Sequence, residues 1–75
     1  MTYLEVAYRY QTSLGEKEMR AIDGVREVYG IQGITFNETE RIVRVLFDAS
    51  RLTEDAVARL LRQAGLDLKG RLVLA

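Results

Sequence analysis

The sequence has no cysteine, no histidine, no proline and no tryptophan. Without cysteine there is no disulfide and no thiolate metal site. Without histidine there is no imidazole ligand and no side chain whose ordinary pKa lies near neutrality. Without proline, breaks between elements fall to Gly, Asn and Asp. No apolar run approaches the roughly 18–20 residues that span a bilayer, so no membrane segment is expected. Met1–Val6 has no basic stretch leading into an apolar core, so no secretory signal is expected and the cytoplasm is the expected address. Charge of one sign is also lacking, because 11 basic residues cancel 11 acidic ones. A nucleic-acid binder draws most of its affinity from a basic excess, so nucleic acid is not an expected partner.

What is present fits one domain spanning residues 1–75. A domain of this size buries only about 60–65% of its unfolded surface. Its stability must therefore come from packing, with a partner as the other source. Tyr3–Tyr10 alternates as a first strand, with Leu4, Val6, Tyr8 and Tyr10 on one face and Tyr3, Glu5, Ala7 and Arg9 on the other. Ser13 and Glu16 match a capping box, which predicts a helix from about Leu14 to Ile22, ended by Asp23-Gly24. Val25–Phe36 reads as a second strand whose parity slips between Gly30 and Gly33, the mark of a bulge or bend. Asn37–Glu40 is a turn, and Arg41–Phe47 returns as the hairpin partner, with Val43, Val45 and Phe47 inward. Thr53 is the expected N-cap of a second helix, in which Val57, Leu60, Leu61 and Ala64 repeat at helical spacing. Asp55 and Arg59 are spaced to pair on that helix. Gly65 is its stop, and Leu66, Leu68, Leu72 and Leu74 alternate as a fourth strand. The order predicts an α+β, ferredoxin-like βαββαβ sandwich: a four-stranded antiparallel sheet with two helices on one face. The other face is left to water or to a partner.

Three segments, taken together, resemble the heavy-metal-associated family. Gly24-Val25-Arg26-Glu27-Val28 is similar to its step into the second strand. Val43–Asp48 is similar to its third strand, and Thr53 to Ala64-Gly65-Leu66 to its second helix and the step beyond. The resemblance covers most of the chain after residue 20 and implies that family's sandwich fold. The family's metal loop carries Met-x-Cys-x-x-Cys between the first strand and first helix. Here that stretch is Tyr10-Gln11-Thr12-Ser13-Leu14-Gly15, and no residue inherits the metal-carrier role. Soft cations select thiolates, so a transition metal is a disfavoured ligand and no cofactor is expected. Metal binding through atypical ligands is the alternative that the resemblance implies.

Several residues invite sharper readings. Met19 lies nearest the altered loop, but a lone thioether is a poor ligand set and a good core filler. Glu38, Glu40 and Asp48 would have to converge to hold a hard cation, and two glutamates on a hairpin tip read as a solvated turn. Gly30–Phe36 is similar to the signature loop of acylphosphatases, yet the position of that loop's arginine is Asn37. With no base near neutrality and no partnered nucleophile, an enzyme is not expected. The strand parities place Tyr3, Ala7, Ile31, Ile42, Leu46 and Val73 on the uncovered face, rimmed by Arg9, Arg44 and Arg71. Apolar groups with arginine around them fit interface composition. The expectation is a non-enzymatic interaction module in a metal-handling context, contacting a protein partner or a second copy across the open face.

Overall fold

Six elements follow in the expected order: β1 (Tyr3–Tyr10), α1 (Glu16–Arg26), β2 (Ile31–Asn37), β3 (Ile42–Asp48), α2 (Glu54–Gln63) and β4 (Leu68–Leu72). The computed structural model describes residues 2–11 and 13–72. Val73 and Leu74 therefore lie outside the described residues. All strand pairs are antiparallel, in the order β2-β3-β1-β4. No helix among the described residues is long and apolar enough to cross a membrane.

Alternation on the two central strands builds the core. Val6, Tyr8 and Tyr10 on β1 and Val43, Val45 and Phe47 on β3 are buried in one cluster with Ile22 and Val25 of α1 and Val57, Ala58 and Leu61 of α2. Both helices thus cover the same face of the sheet. Leu4 keeps the inward parity but is exposed and lies outside the core cluster.

The first helix departs from its sequence reading at both ends. Its N-cap is Gly15, not Ser13, and the Glu18 carboxylate accepts the Gly15 N–H at 2.9 Å. This is one half of a capping box, and Gly15 has no side chain to return the other. The helix then runs through Asp23-Gly24 to Arg26. Gly24 is on the solvent side, where its lost helix propensity costs about 1 kcal/mol. Val25, three residues after Ile22, is buried only if the helix continues, and burying such a side chain is worth about 1.5–3 kcal/mol. Packing therefore overrides the break.

Consequently β2 starts at Ile31 rather than Val25, after a turn that contains Val28 and Gly30. The expected slip is real: Ile31 pairs with Phe47, while Gly33 pairs with Leu46.

The second helix follows its signals. The Ala56 N–H donates to Thr53 Oγ1 at 3.1 Å, and Gly65, at φ 104°, ends the element. Replacing Thr53 by alanine is expected to lower stability by about 1 kcal/mol. A urea denaturation curve with an unmoved midpoint would remove the cap from this account. Among the described residues no ion pair joins Asp55 to Arg59; Arg71 of β4 instead reaches Glu54 at 2.8 Å.

Candidate functional site

The open face of the sheet is less apolar than its parity suggests. Ala7 keeps its outward position but is fully buried, because it sits on a central strand opposite the longer Arg44. Ile42 also faces outward and is buried, flanked in register by Arg9 and Asn37. Ile31 is not on this face at all. The bulge before Gly33 reverses its parity, so it pairs with Phe47 and joins the core. Glu5, Arg9, Thr35 and Arg44 give the exposed part of the face a polar character. Arg71 pairs with Tyr8 on the helix-covered side, so it does not rim the open face. Of the expected interface residues, Tyr3 and Leu46 remain as exposed apolar groups, with Arg44 as an exposed cation, while Val73 lies outside the described residues.

Exposed apolar surface gathers instead at one end of the sandwich. The antiparallel topology brings the start of β1, the α1–β2 turn, the end of β3 and the β3–α2 connection to that end. The large exposed apolar side chains there are Tyr29 (72%), Leu4 (50%), Tyr3 (45%) and Leu46 (39%).

Tyr29 and Arg51 are held in place by a short relay. The Asp48 carboxylate is buried and accepts the Ser50 N–H at 2.9 Å and the Ser50 hydroxyl at 2.6 Å. These two donors hold Asp48 below the ordinary carboxylate range; burial opposes the shift and Arg51 adds to it. Its other oxygen lies 3.5 Å from Arg51 Nε, and the Arg51 guanidinium stacks 4.3 Å above the Tyr29 ring. An arginine fixed against an aromatic ring forms a cation–π pair. A shallow cleft of about 380 Å³ beside it is lined by Tyr3, Arg26, Tyr29, Gln32 and Arg51. Sequence reading missed Leu4, Tyr29 and Arg51. The available signal for Tyr29 was Gly30, which makes its neighbour a turn residue rather than a strand residue.

The opposite end holds the stretch where the family's metal loop would lie. Tyr10, Ser13, Leu14, Glu38 and Arg41 surround a hollow of about 230 Å³. The Tyr10 N–H donates to the Arg41 carbonyl at 3.0 Å, and the Arg41 guanidinium donates to the Gln11 carbonyl at 2.9 Å. The polar side-chain groups here are hydroxyl, carboxylate and guanidinium. They do not fit a soft metal ion, which selects thiolate or imidazole.

Glu38 and Glu40 are on the turn at this end, whereas Asp48 closes β3 at the far one, so the three acids do not converge. Among the described residues no cluster of three or more candidate ligands forms. Met19 is half-buried and lies outside the core cluster. Asn37, at the position of the acylphosphatase arginine, accepts the Glu40 N–H at 3.2 Å and so belongs to the hairpin turn.

No protein-family description matches the sequence, and no curated protein is similar to it at the level of sequence. Solved structures do match the fold. Oxidized MerP from Ralstonia metallidurans CH34 superposes with a TM-score of 0.74 at 13% identity, covering 91% of this chain and 96% of that one. Apo-CopP from Helicobacter pylori gives 0.73 at 22% identity, covering 88% and 100%. The apo form of the heavy-metal-associated domain of a copper chaperone for superoxide dismutase gives 0.64 at 24% identity, covering 92% and 69%. The fold is that of heavy-metal-associated domains. The Gly24–Val28 resemblance finds a different setting here, since Gly24 and Val25 close α1 instead of opening β2.

Proposed function

We propose that this chain is a non-enzymatic docking module on a metal-carrier scaffold, acting in the cytoplasm through protein contact. The observation that carries this reading is the concentration of Tyr3, Leu4, Tyr29 and Leu46 at the end away from the β1–α1 loop, with Arg51 stacked on Tyr29. Tyrosine and arginine are the side chains that most often anchor interfaces, and the guanidinium–ring pair enters contact with part of its ordering entropy already spent. The same scaffold serves a chaperone that is named for its protein client, which supports docking as a use of this fold. A neutral overall charge leaves no long-range repulsion between copies, so a second copy is the partner favoured first.

Sedimentation over a wide concentration range tests the reading. The parent protein should associate as concentration rises. The double variant Tyr29→Glu, Leu46→Glu should weaken that association at least tenfold while leaving far-UV circular dichroism unchanged, since a carboxylate at a contact centre costs more than ~1.4 kcal/mol. A parent protein that stays monomeric at millimolar concentration would exclude the second copy. An unrelated partner that binds both parent and variant equally would sink the docking end itself.

A further inference from the structure

The cleft beside Tyr29 carries charges of both signs, and they are not all joined within the chain. Arg26, Glu27 and Arg51 line it. Arg26 is committed inside the molecule. Its guanidinium donates to the Ile34 carbonyl at 2.6 Å and lies 3.6 Å from Asp23. Arg51 is committed only in part. Its Nε faces the buried Asp48 at 3.5 Å and its plane covers the Tyr29 ring. Its two terminal nitrogens have no hydrogen-bond or ion-pair partner among the described residues. The Glu27 carboxylate is exposed and has no such partner among them either.

Glu27 is also placed against the stability of its own helix. It is the C-cap of α1, the end at which the backbone dipole disfavours a carboxylate. Its charge therefore serves neither an internal pair nor the helix. A patch with one held cation and one unused anion is self-complementary. Twofold association presents the same patch from both sides, so that a residue meeting its counterpart across the axis is matched by the reverse contact. A patch of one sign would repel its own copy, whereas this one gains two unlike pairs from a single orientation. The Asp48 tether and the ring stack fix Arg51 before contact, so less side-chain freedom is lost than for an unrestrained arginine.

We infer that a second copy of this chain docks on this cleft about a twofold axis, with Arg51 of each copy paired to Glu27 of the other. The inference rests on the docking end proposed above and adds the contact that sets its orientation.

Sedimentation of charge-reversal variants, alone and mixed, tests it. Glu27→Arg and Arg51→Glu should each self-associate at least about tenfold more weakly than the parent, since each sets like charges opposite one another twice. An equimolar mixture of the two should recover association to within about threefold of the parent, because both contacts across the axis again join unlike charges. Glu38→Arg and Arg59→Glu, reversals outside this cleft, should match the parent alone and mixed. Arg51→Gln, which sets no second carboxylate beside Asp48, should also weaken association, by about threefold to tenfold. At a concentration where the parent is monomeric, Glu27→Arg should keep or raise the denaturation midpoint, because it removes a carboxylate from a helix C-terminus. A folding defect then cannot stand in for the lost contact. Parent-like association by both reversals, or a mixture no tighter than its components, would overturn the pairing. The docking end would survive that result if Tyr29→Glu, Leu46→Glu still weakened association. A parent that stays monomeric at millimolar concentration would overturn the pairing together with the second copy as partner.

Discussion

Truncating Phe47 to alanine is expected to remove a large fraction of the protein's folding stability. Phe47 is almost wholly buried on β3 and pairs in register with Leu4 of β1 and Ile31 of β2. Removing a buried phenylalanine ring costs about 3–5 kcal/mol, part in lost transfer energy and part in the cavity left behind. Folded chains hold roughly 0.05–0.15 kcal/mol per residue, which for 75 residues is about 4–11 kcal/mol in total. The substitution therefore removes a large fraction of that stability. Urea denaturation followed by circular dichroism measures it directly, and a loss under ~1 kcal/mol would mean that the core is not centred where the structure puts it. Phe47→Leu, which keeps most of the apolar volume, should cost much less.

Gly30→Ala should destabilise by about 2–3 kcal/mol, through backbone strain with crowding added. Gly30 has φ 103°, a conformation that side chains of L-residues rarely adopt. A Cβ built there meets Cγ and Cδ1 of Leu52 at 3.0 Å and Cβ of Arg51 at 3.4 Å. The backbone has little freedom to relax, because the Gly30 carbonyl accepts the Asp48 N–H at 2.7 Å. Gly24 provides the contrast. It is exposed on α1, and an added Cβ meets nothing within 4 Å, so Gly24→Ala should raise stability by about 0.5–1 kcal/mol. If both alanine variants melted at the parent temperature, backbone conformation would not be what distinguishes the two positions.

The two glycines also show how far the sequence can be read. Strong periodicity made β3 and α2 legible, because Val43, Val45 and Phe47, and Val57, Leu61 and Ala64, each mark a single buried face. In α1 the local signals pointed the wrong way. Ser13 and Gly24 look like ends, yet the helix begins after Gly15 and runs past Gly24, since only that span brings Val25 into the core. The Gly30–Gly33 slip was visible as a bulge, but its direction was not, and that direction decided which face Ile31 occupies. Parity placed Ala7 and Ile42 on the open face correctly. How much of each water can reach depends on the height of neighbours such as Arg44 and Arg9, which parity does not encode. The docking end was the least legible part. Its residues come from four separated stretches that only the folded topology brings together.

The central position of β1 shapes how the chain acquires its structure. One flank of β1 is filled by β3, but the other is filled by β4, with Ala7 opposite Leu72. During synthesis β2 and β3 can pair as soon as they leave the ribosome, whereas the second flank of β1 stays open until residues 68–72 have emerged. Contacts this distant along the chain make folding slow compared with a helical bundle of the same length. For that interval the nascent protein exposes a strand edge along Ala7–Tyr10, the form in which chaperone capture and mispairing compete with completion of the sheet.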